Sequence, residues 1–513
     1  MSSSTERKIR AAAREAGTDK KMLAQQEAEK KAARSRRRWT VGSILVGILV
    51  ILILLLNAGV QYKYLPALTV GETTYSPAQL NYVYNTQYYN FVSRYSSYLS
   101  LMGLDTSQGV HSLGSQSCPM LEEGKTWRDY FLQSSAQNLR QTTVLKNYAE
   151  ANGITLSDAE LADIDSQLAS LTETAKTYNY PNVNRFLAAQ YGTGVTLQTV
   201  RGLMIDDALA TKAIEAYTAS LTYSPEELEE YYASLNGSSD LFDFAYFIVP
   251  AAESSEDGAV SDTALLEARM TAEAIKMAYD DGYDIDDPIE RFNAAIEAEY
   301  DADQATRADG VKGSNLSELS EWMTDASRKA GDVGVVASSD GDGYVVALFL
   351  ARDDNHYATV NVRHILIKAE ASEDGTYSDE AKAAALKKIN EIKAEYEAGD
   401  KSEASFAALA EKYSDDEGSN TVGGLYENIY HGWSVEEFND FCFGERKSGD
   451  VAIVYGESGS YAGYHLVYYV GEGELYSNVI ARDALSSDAA EEFFSAEIAK
   501  VEPVLRSGAK LVG

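Results

Sequence analysis

The chain has few cysteines and, after its first 39 residues, little positive charge. Only Cys118 and Cys442 occur among 513 residues, which excludes a disulfide-rich exported scaffold. The two can pair with each other, although Cys442 in FNDFCF fits a small buried residue more simply. Lys and Arg number 44 against 79 Asp and Glu, giving a formal net charge of −35. This acidity argues against nucleic acid as a partner.

The positive charge is concentrated at the N-terminus, where residues 1–39 carry +7 and leave −42 for the remainder. The run VGSILVGILVILILLLNAGV at 41–60 has no charged residue over about the length that spans a hydrocarbon core. The basic RSRRRW at 34–39 assigns the preceding arm to the cytoplasm by the positive-inside rule. We therefore expect a basic cytoplasmic arm, a transmembrane anchor at 40–60 and a single-pass cell-membrane location with the bulk of the chain extracytoplasmic.

A cleaved signal peptide is the alternative interpretation of the N-terminus. The long basic arm and the lack of a clear small-residue cleavage site favour an anchor that is retained. After the anchor, helical patterns dominate from Ser76-Pro77, which is typical of an N-cap and first helical residue, to about residue 235. The many tyrosines here fit either an amphipathic helix surface or a semi-polar cradle for unfolded segments.

Three segments recur in the same order along the chain. The matching pairs are FDFAYFIVP (242–250) with VNVRHILIK (360–368), RKAGDVGVV (328–336) with RKSGDVAIV (446–454), and GDGYVVALFL (341–350) with YAGYHLVYYV (461–470). Their offsets are 118, 118 and 120 residues. Such ordered matches predict two tandem copies of one domain, at 236–355 and 356–475.

The copies differ at two positions that bear on function. His364 in the second copy corresponds to Tyr246 in the first, and His465 corresponds to Val345. A lone histidine beside a strand is more often a structural residue than a catalytic one. Because the first copy keeps the strands and the Gly-Asp turn without either histidine, the pair is dispensable for the fold and is better interpreted as a functional site.

The second copy is predicted to be a small α+β domain with a mixed sheet. Its patterns indicate strands at 360–368, 451–456 and 463–471, helices at 378–398, 403–413 and 434–443, and an extended Gly-rich segment at 423–430. If the first and last strands pair centrally, His364 and His465 meet across one face of the sheet.

Five motifs of the second copy suggest a family. RHILI, FAALAEKYSDDEGSNTVGGL, VEEFNDFCF, KSGDV and GYHLV resemble, in order and spacing, the parvulin family of peptidyl-prolyl cis-trans isomerases. The wider plan resembles PrsA-like foldases and SurA-like chaperones. The resemblance implies an α+β multidomain protein with an N-terminal transmembrane helix, an α-helical chaperone-like domain over 61–235 completed by 476–513, and two tandem parvulin-like domains, the first of them degenerate.

The resemblance also implies roles for individual residues. The paired histidines of the family fall on His364 and His465, and its Cys-or-Asp position after YSD falls on Asp416. These three residues are the expected catalytic network.

The same comparison assigns the proline-binding pocket. The apolar floor that receives the proline ring falls on Leu425 and Phe438. A further apolar position falls on Trp433 or Ser434, because this chain has one extra residue between Leu425 and Phe438. Ser460 lies near a hydroxyl position of the family.

The expected chemistry suits these residue types. Rotation about an X-Pro bond faces a barrier of roughly 20 kcal/mol and breaks no bond, so neither a nucleophile nor a metal or cofactor is needed. A pocket that grips the proline ring and withdraws water favours the twisted imide. The histidines and Asp416 supply a hydrogen-bonded network whose protonation shapes the field at that imide.

We therefore expect a membrane-anchored extracytoplasmic foldase that binds unfolded or newly exported polypeptides and isomerises their X-Pro bonds. The alternative is a holdase or scaffold that binds such segments without accelerating isomerisation. The loop KAEASEDGTYSDE at 368–380 has one lysine among several acids, so recognition of a phosphate before proline is not expected. His111, His356 and His431 are expected to be exposed loop residues, and no residues have the spacing of a metal site.

Overall fold

A computed structural model of the chain describes residues 3–17, 24, 27–28, 30–31, 39–50, 59–252, 260–282, 284–300, 304–372, 375–458 and 461–513. Its helices are Ser3–Glu15, Val60–Tyr64, Pro77–Arg94, Trp127–Ala151, Asp158–Thr177, Val183–Tyr191, Leu197–Ser220, Pro225–Ser234, Asp262–Asp281, Pro288–Tyr300, Ser320–Thr324, Asp379–Ala398, Glu403–Tyr413, Glu436–Phe443 and Tyr476–Ala499. The strands, in chain order, are β1 Leu68–Val70, β2 Thr73–Tyr75, β3 Leu241–Pro250, β4 Thr306–Lys312, β5 Val333–Ala337, β6 Gly343–Asp353, β7 Ala358–Lys368, β8 Leu425–Ile429, β9 Val451–Ser458, β10 Tyr461–Leu475 and β11 Pro503–Leu505.

The chain divides into two compact units, residues 1–220 with 489–513 and residues 221–488. The first unit is mainly helical. Its helices Pro77–Arg94 and Trp127–Ala151 each begin at a capping box, in which reciprocal side-chain bonds satisfy backbone donors that the first helical turn leaves unpaired. Buried aromatic side chains from both helices fill the core between them.

The C-terminal residues complete the core of the first unit. Strand β11 pairs antiparallel with β1, which also pairs with β2. The Arg128 guanidinium donates to the carbonyl oxygens of Ala509 and Val512, at 2.8 Å in each case. Phe494 shares a hydrophobic cluster with Leu145. The end of the chain is therefore held by backbone pairing, hydrogen bonds and apolar contacts together.

The second unit contains two four-stranded sheets with equivalent strand orders, β4-β3-β6-β5 and β8-β7-β10-β9. All pairings in both sheets are antiparallel, so the expectation of a mixed sheet is wrong. In each sheet the first and the last of the four strands in chain order, β3 and β6 or β7 and β10, lie in the two central positions. The elements expected for the second copy are confirmed to within four residues at each end.

The pairing register follows the same offsets as the sequence repeat. Tyr246 on β3 pairs with Ala347 on β6, and His364 on β7 pairs with Val467 on β10. These partners differ by 118 residues on the first central strand (364 − 246) and by 120 on the second (467 − 347). Positions aligned by sequence therefore occupy equivalent places in the two sheets.

The predicted anchor at 40–60 has to be corrected. Residues 39–50 are helical, and residues 51–58 lie outside the described residues. Over the part of the chain that the structure describes, no helix has both the length and the apolarity that a membrane crossing needs. The predicted single-pass location is therefore wrong.

Both cysteines are free and buried, so the disulfide left open by the sequence is not formed. Burial raises the pKa of the Cys442 thiol to about 12, which keeps it protonated and unreactive near neutral pH. Cys442 packs in the apolar cluster beside β7 and β10, as a small buried residue does.

Candidate active site

Two histidines meet on one face of the second sheet. His364 on β7 and His465 on β10 are each 4% exposed. Their Nδ1 atoms are 3.1 Å apart, and their rings are 15° from parallel. His465 pairs with Leu366, two residues along β7 from His364, and residues two apart on a strand share a face. The two imidazoles are therefore diagonal neighbours on the central strands.

Asp416 continues the network on the side of His364. Its Oδ2 accepts from His364 Nε2 at 2.8 Å and from the Tyr426 hydroxyl at 3.1 Å. The buried Ser419 hydroxyl also donates to this carboxylate and lies 3.2 Å from His364 Nε2. The hydrogen bond from His364, aided by Ser419 and Tyr426, holds the pKa of Asp416 well below its usual range. Asp416 is therefore an ionised acceptor.

Tyr461 continues the network beyond His465, with its hydroxyl 3.1 Å from His465 Nε2. This contact needs Gly456 on β9, because a Cβ there would lie 2.8 Å from the Tyr461 hydroxyl and 2.9 Å from His465 Nε2. Burial, together with the charge that His364 can carry, lowers the pKa of His465 to about 3. His465 is therefore neutral at physiological pH.

The hydrogen-bond chain has a definite direction when both imidazoles are neutral. Ionised Asp416 can only accept, so His364 donates from Nε2 and accepts at Nδ1. His465 then donates from its Nδ1 to His364 Nδ1, and its Nε2 accepts a hydrogen bond from the Tyr461 hydroxyl. When His364 binds a second proton, both of its nitrogens donate and the bonds beyond it reverse. One proton can thus change the field across the site without moving a heavy atom.

A Gly-Gly segment before β8 brings this network together. Gly423 and Gly424 have φ of +68° and +72°, a region that favours glycine. A Cβ on Gly424 would collide with the His364 carbonyl oxygen, and the His364 amide donates to Gly424 O at 2.8 Å. From the opposite face, Arg363 donates to the carbonyls of Val422 and Gly423. Arg363 therefore holds the Gly-Gly segment in place and is not part of the histidine network.

Three aromatic side chains adjoin the histidines. The Tyr426 ring is 5.2 Å from that of His364, and the Phe438 ring is 5.5 Å from that of His465, edge to face. Trp433 lies 4.8 Å from Tyr426 and 5.8 Å from Phe438 between ring centroids. These are attractive geometries that enclose an apolar surface. Phe438 is only 1% exposed, because the partly buried Tyr426 and Trp433 pack against its cluster.

Most of the site residues expected from the sequence lie in this one cluster, namely His364, Asp416, His465, Trp433 and Phe438. Leu425 does not. It pairs with Arg363 across β7 and β8, so alternation turns it to the opposite face. Its neighbour Tyr426 takes the position beside His364.

Three hydroxyl groups around the imidazoles were not among the expected site residues, and the expected one stays a prediction. Ser460 lies outside the described residues, and the hydroxyl next to His465 belongs to Tyr461. Ser419 and Tyr426 were not anticipated, although Ser419 follows Asp416 by three residues, the reach of a local turn. For Tyr426 the available signal was its position two residues after Gly424, where strand alternation resumes.

The other histidines lie apart from this cluster. His111 is exposed, as expected. His356 is also exposed, and although burial lowers its pKa, hydrogen bonds to Asp354 and Glu229 raise it overall. His431 stacks on Tyr357 with 3.9 Å between ring centroids. His356 and His431 are thus exposed, as expected, and each also contacts neighbouring side chains.

Residues 345–470 match the family model of the PPIC-type PPIase domain, a range that includes β7 to β9, most of β10 and every residue of the cluster described above. This stretch is a peptidyl-prolyl isomerase domain of the parvulin type. The chain accordingly contains a domain of this family, and it is similar to a SurA chaperone over a longer stretch.

Similar proteins extend the comparison beyond this domain. The chaperone SurA of Alkalilimnicola ehrlichii is 26% identical over 315 residues, which cover 61% of this chain and 67% of the relative. Among solved structures, PrsA of Bacillus anthracis is 16% identical, with 47% of this chain and 89% of that chain covered and a TM-score of 0.18. The foldase PrsA of Streptococcus pneumoniae is 12% identical, with 76% and 96% covered and a TM-score of 0.21.

Proposed function

We propose that the chain is a foldase whose residues 356–475 accelerate cis-trans isomerisation of X-Pro bonds in unfolded polypeptides. The observation that carries this proposal is the hydrogen-bonded chain from Asp416 through the buried His364 and His465 to Tyr461. Phe438 provides an apolar surface directly beside it. His364, Asp416 and His465 are the proposed catalytic network, and Trp433, Phe438 and Tyr426 the proposed proline-binding surface.

The physical basis is the change in the imide during rotation. Twisting removes resonance and with it the charge separation of the planar bond, so a water-poor apolar surface favours the twisted form. The two oriented imidazoles and the ionised Asp416 supply a fixed electrostatic field that needs no reorganisation as the bond turns. This division of labour requires no covalent intermediate.

In this proposal the remaining domains serve the isomerase. Residues 61–235, completed by 476–513, form a helical domain that holds unfolded chains, and residues 236–355 are a degenerate copy of the isomerase domain. We also propose that the enzyme does not require phosphate before proline. Lys382 and Arg363 in this domain are each bound to a glutamate, and the loop after β7 is acidic, a poor setting for a phosphate group.

A second candidate function is supported by the burial of Phe438. With Trp433 and Tyr426 packed against its cluster, the proposed floor of the pocket is closed. A protein with a closed floor can hold proline-containing segments on its aromatic rim without twisting their imide bonds. This is a holdase rather than an isomerase.

Exchange NMR on short peptides separates the two functions. The full chain is mixed with an Ala-Pro peptide and with its phosphoserine-Pro counterpart, and the rate of cis-trans exchange is measured. We expect faster exchange of Ala-Pro, no advantage for the phosphopeptide, and a loss on the order of tenfold or more in Asp416→Asn, which keeps the side-chain size but removes the charge. Line broadening without faster exchange would identify the holdase.

A further inference from the structure

Helix Asp262–Asp281, which packs on the first sheet, exposes a line of apolar side chains. Leu266, Met270 and Met277 are 56%, 64% and 59% exposed. At 3.6 residues per turn they lie within about 40° of one another around the helix axis. We call these three residues the methionine stripe. Their exposure means that no described part of the chain covers them.

The corresponding helix of the second sheet, Asp379–Ala398, has no such stripe. Both helices contain 20 residues, and their serine N-caps and glycine C-caps are 117 residues apart. At this offset the positions of the methionine stripe correspond to Ala383, Lys387 and Ala394. The fold therefore does not require large apolar side chains at these positions.

Acidic side chains border the methionine stripe. Glu267 and Glu273 lie on its two sides, about 60° from Met270 around the axis, and Asp281 ends the helix on the same side as the stripe. The neighbouring Lys276 is bound to Asp280 at 2.9 Å. Arg269 also lies beside the stripe, about 60° from Leu266 around the axis, so the surface is an apolar line bordered mainly by negative charges.

The negative charge around the methionine stripe distinguishes between two kinds of partner, a second copy of this chain and a polypeptide with basic residues. A second copy of this chain would place the acidic borders of two stripes against each other in a symmetric contact, and the residues after position 39 carry −42 in all. Like charges across an interface oppose association. A partner that carries positive charge beside apolar residues satisfies both features of the surface.

We propose that the methionine stripe binds apolar segments of unfolded polypeptides that carry lysine or arginine beside the apolar residues. Methionine side chains are unbranched and polarisable, and they adapt to partners of irregular shape. Glu267 and Glu273 select for the basic residues. The description of the partner as an unfolded chain rests on the proposed foldase function. The stripe itself lies on the domain that lacks the histidine pair, so binding there is separate from isomerisation.

The test uses the full chain and a fluorescent 20-residue peptide of leucine and lysine, with a leucine–glutamate peptide of equal length for comparison. Affinity is measured by fluorescence anisotropy. The variant L266A/M270K/M277A carries the residues of the second helix, and we expect its affinity for the leucine–lysine peptide to fall by roughly tenfold or more. Glu273→Lys keeps the apolar residues and is expected to weaken binding mainly at low salt.

The matched control is Leu386→Lys, which changes an exposed leucine of the second helix and is expected to leave binding unchanged. Undiminished binding by the triple variant, with a native circular dichroism spectrum, overturns the proposal. Equal binding of the leucine–glutamate peptide overturns the selection by charge. If the unmodified chain forms dimers and the triple variant does not, the stripe binds a second copy of the chain, and the proposal is overturned as well.

Isomerisation of the Ala-Pro peptide is followed in the same samples. We expect it to be unchanged in the triple variant. If the unmodified chain shows no isomerisation but binds the leucine–lysine peptide through the stripe, the proposed catalytic function fails while this inference stands.

Discussion

The two sheets of the second unit share a topology and a register but use the equivalent face differently. Between β7 and β10 that face carries two buried histidines, an ionised Asp416 and an aromatic border. Between β3 and β6 it carries Val345 and Ala347, covered by Met323 and other apolar side chains. The same scaffold therefore supports either a polar network or an ordinary core.

A tryptophan closes the face of the first sheet. Trp322 packs over Gly334 so tightly that a Cβ at that position would collide with the indole ring, and the Arg328 guanidinium lies 4.9 Å above the ring. The position equivalent to Gly334 in the second sheet is Ala452. Trp322 thus fills the first face with an apolar ring, which is consistent with our proposal that the histidines of the second face serve chemistry rather than folding.

The largest expected effect comes from giving the second face the residues of the first. In His364→Tyr with His465→Val we expect the isomerisation rate of an Ala-Pro peptide to fall on the order of a hundredfold, because the oriented dipoles at the imide are lost. Exchange NMR measures the rate. His465→Val alone is the smaller change and controls for unfolding, which thermal denaturation reports. A folded double variant with the original rate would contradict the catalytic role of the pair.

The next largest effect is expected in the pH dependence of stability, because His465 lies on the second face and has no counterpart on the first. The pKa of His465 is lowered to about 3 from an ordinary value near 6.5, so the unfolded state binds a proton first as the pH falls. The contribution of neutral His465 to the free energy of unfolding is therefore fully present above pH 6.5 and is lost as the pH falls towards 3. The free energy of unfolding changes by up to about 1.4 kcal/mol per pH unit in this range. Urea unfolding at pH 7 and pH 5 measures it. The pH dependence of the free energy of unfolding should be smaller in His465→Val. An identical slope in both proteins would contradict the assignment of this pH dependence to His465.

The repeat made the histidine pair predictable, because two residues changed together while the surrounding strand pattern stayed the same. Asp416, Trp433 and Phe438 followed from the family resemblance. Leu425 was misplaced by one residue because the positive φ of Gly423 and Gly424 determines which side chain of β8 turns inward, and φ is not evident from the letters GGLY. Tyr461 was missed for a related reason, since its contact depends on the empty space at Gly456 on the adjacent strand.

A smaller effect is expected from the end of the network. Tyr461→Phe removes the hydroxyl next to His465 Nε2 and keeps the ring. We expect the isomerisation rate to fall roughly threefold to tenfold and the free energy of unfolding to fall by about 1 kcal/mol, the value of one hydrogen bond. As a positioning residue, Tyr461 should also shift the pH profile of the rate. A lower rate with an unshifted profile would indicate a purely structural role.

The smallest effect should come from Tyr246→Phe, which removes one hydroxyl at the position equivalent to His364. Tyr246 packs with Phe244 at 5.9 Å between ring centroids, in an apolar cluster. We expect a change within about 0.5 kcal/mol in the free energy of unfolding and no change in isomerisation. Tyr461→Phe and Tyr246→Phe each delete a single oxygen, so urea unfolding and exchange NMR of the two variants compare the faces directly. Equal effects would mean that the first face also holds a polar network, and the contrast between core and site would fail.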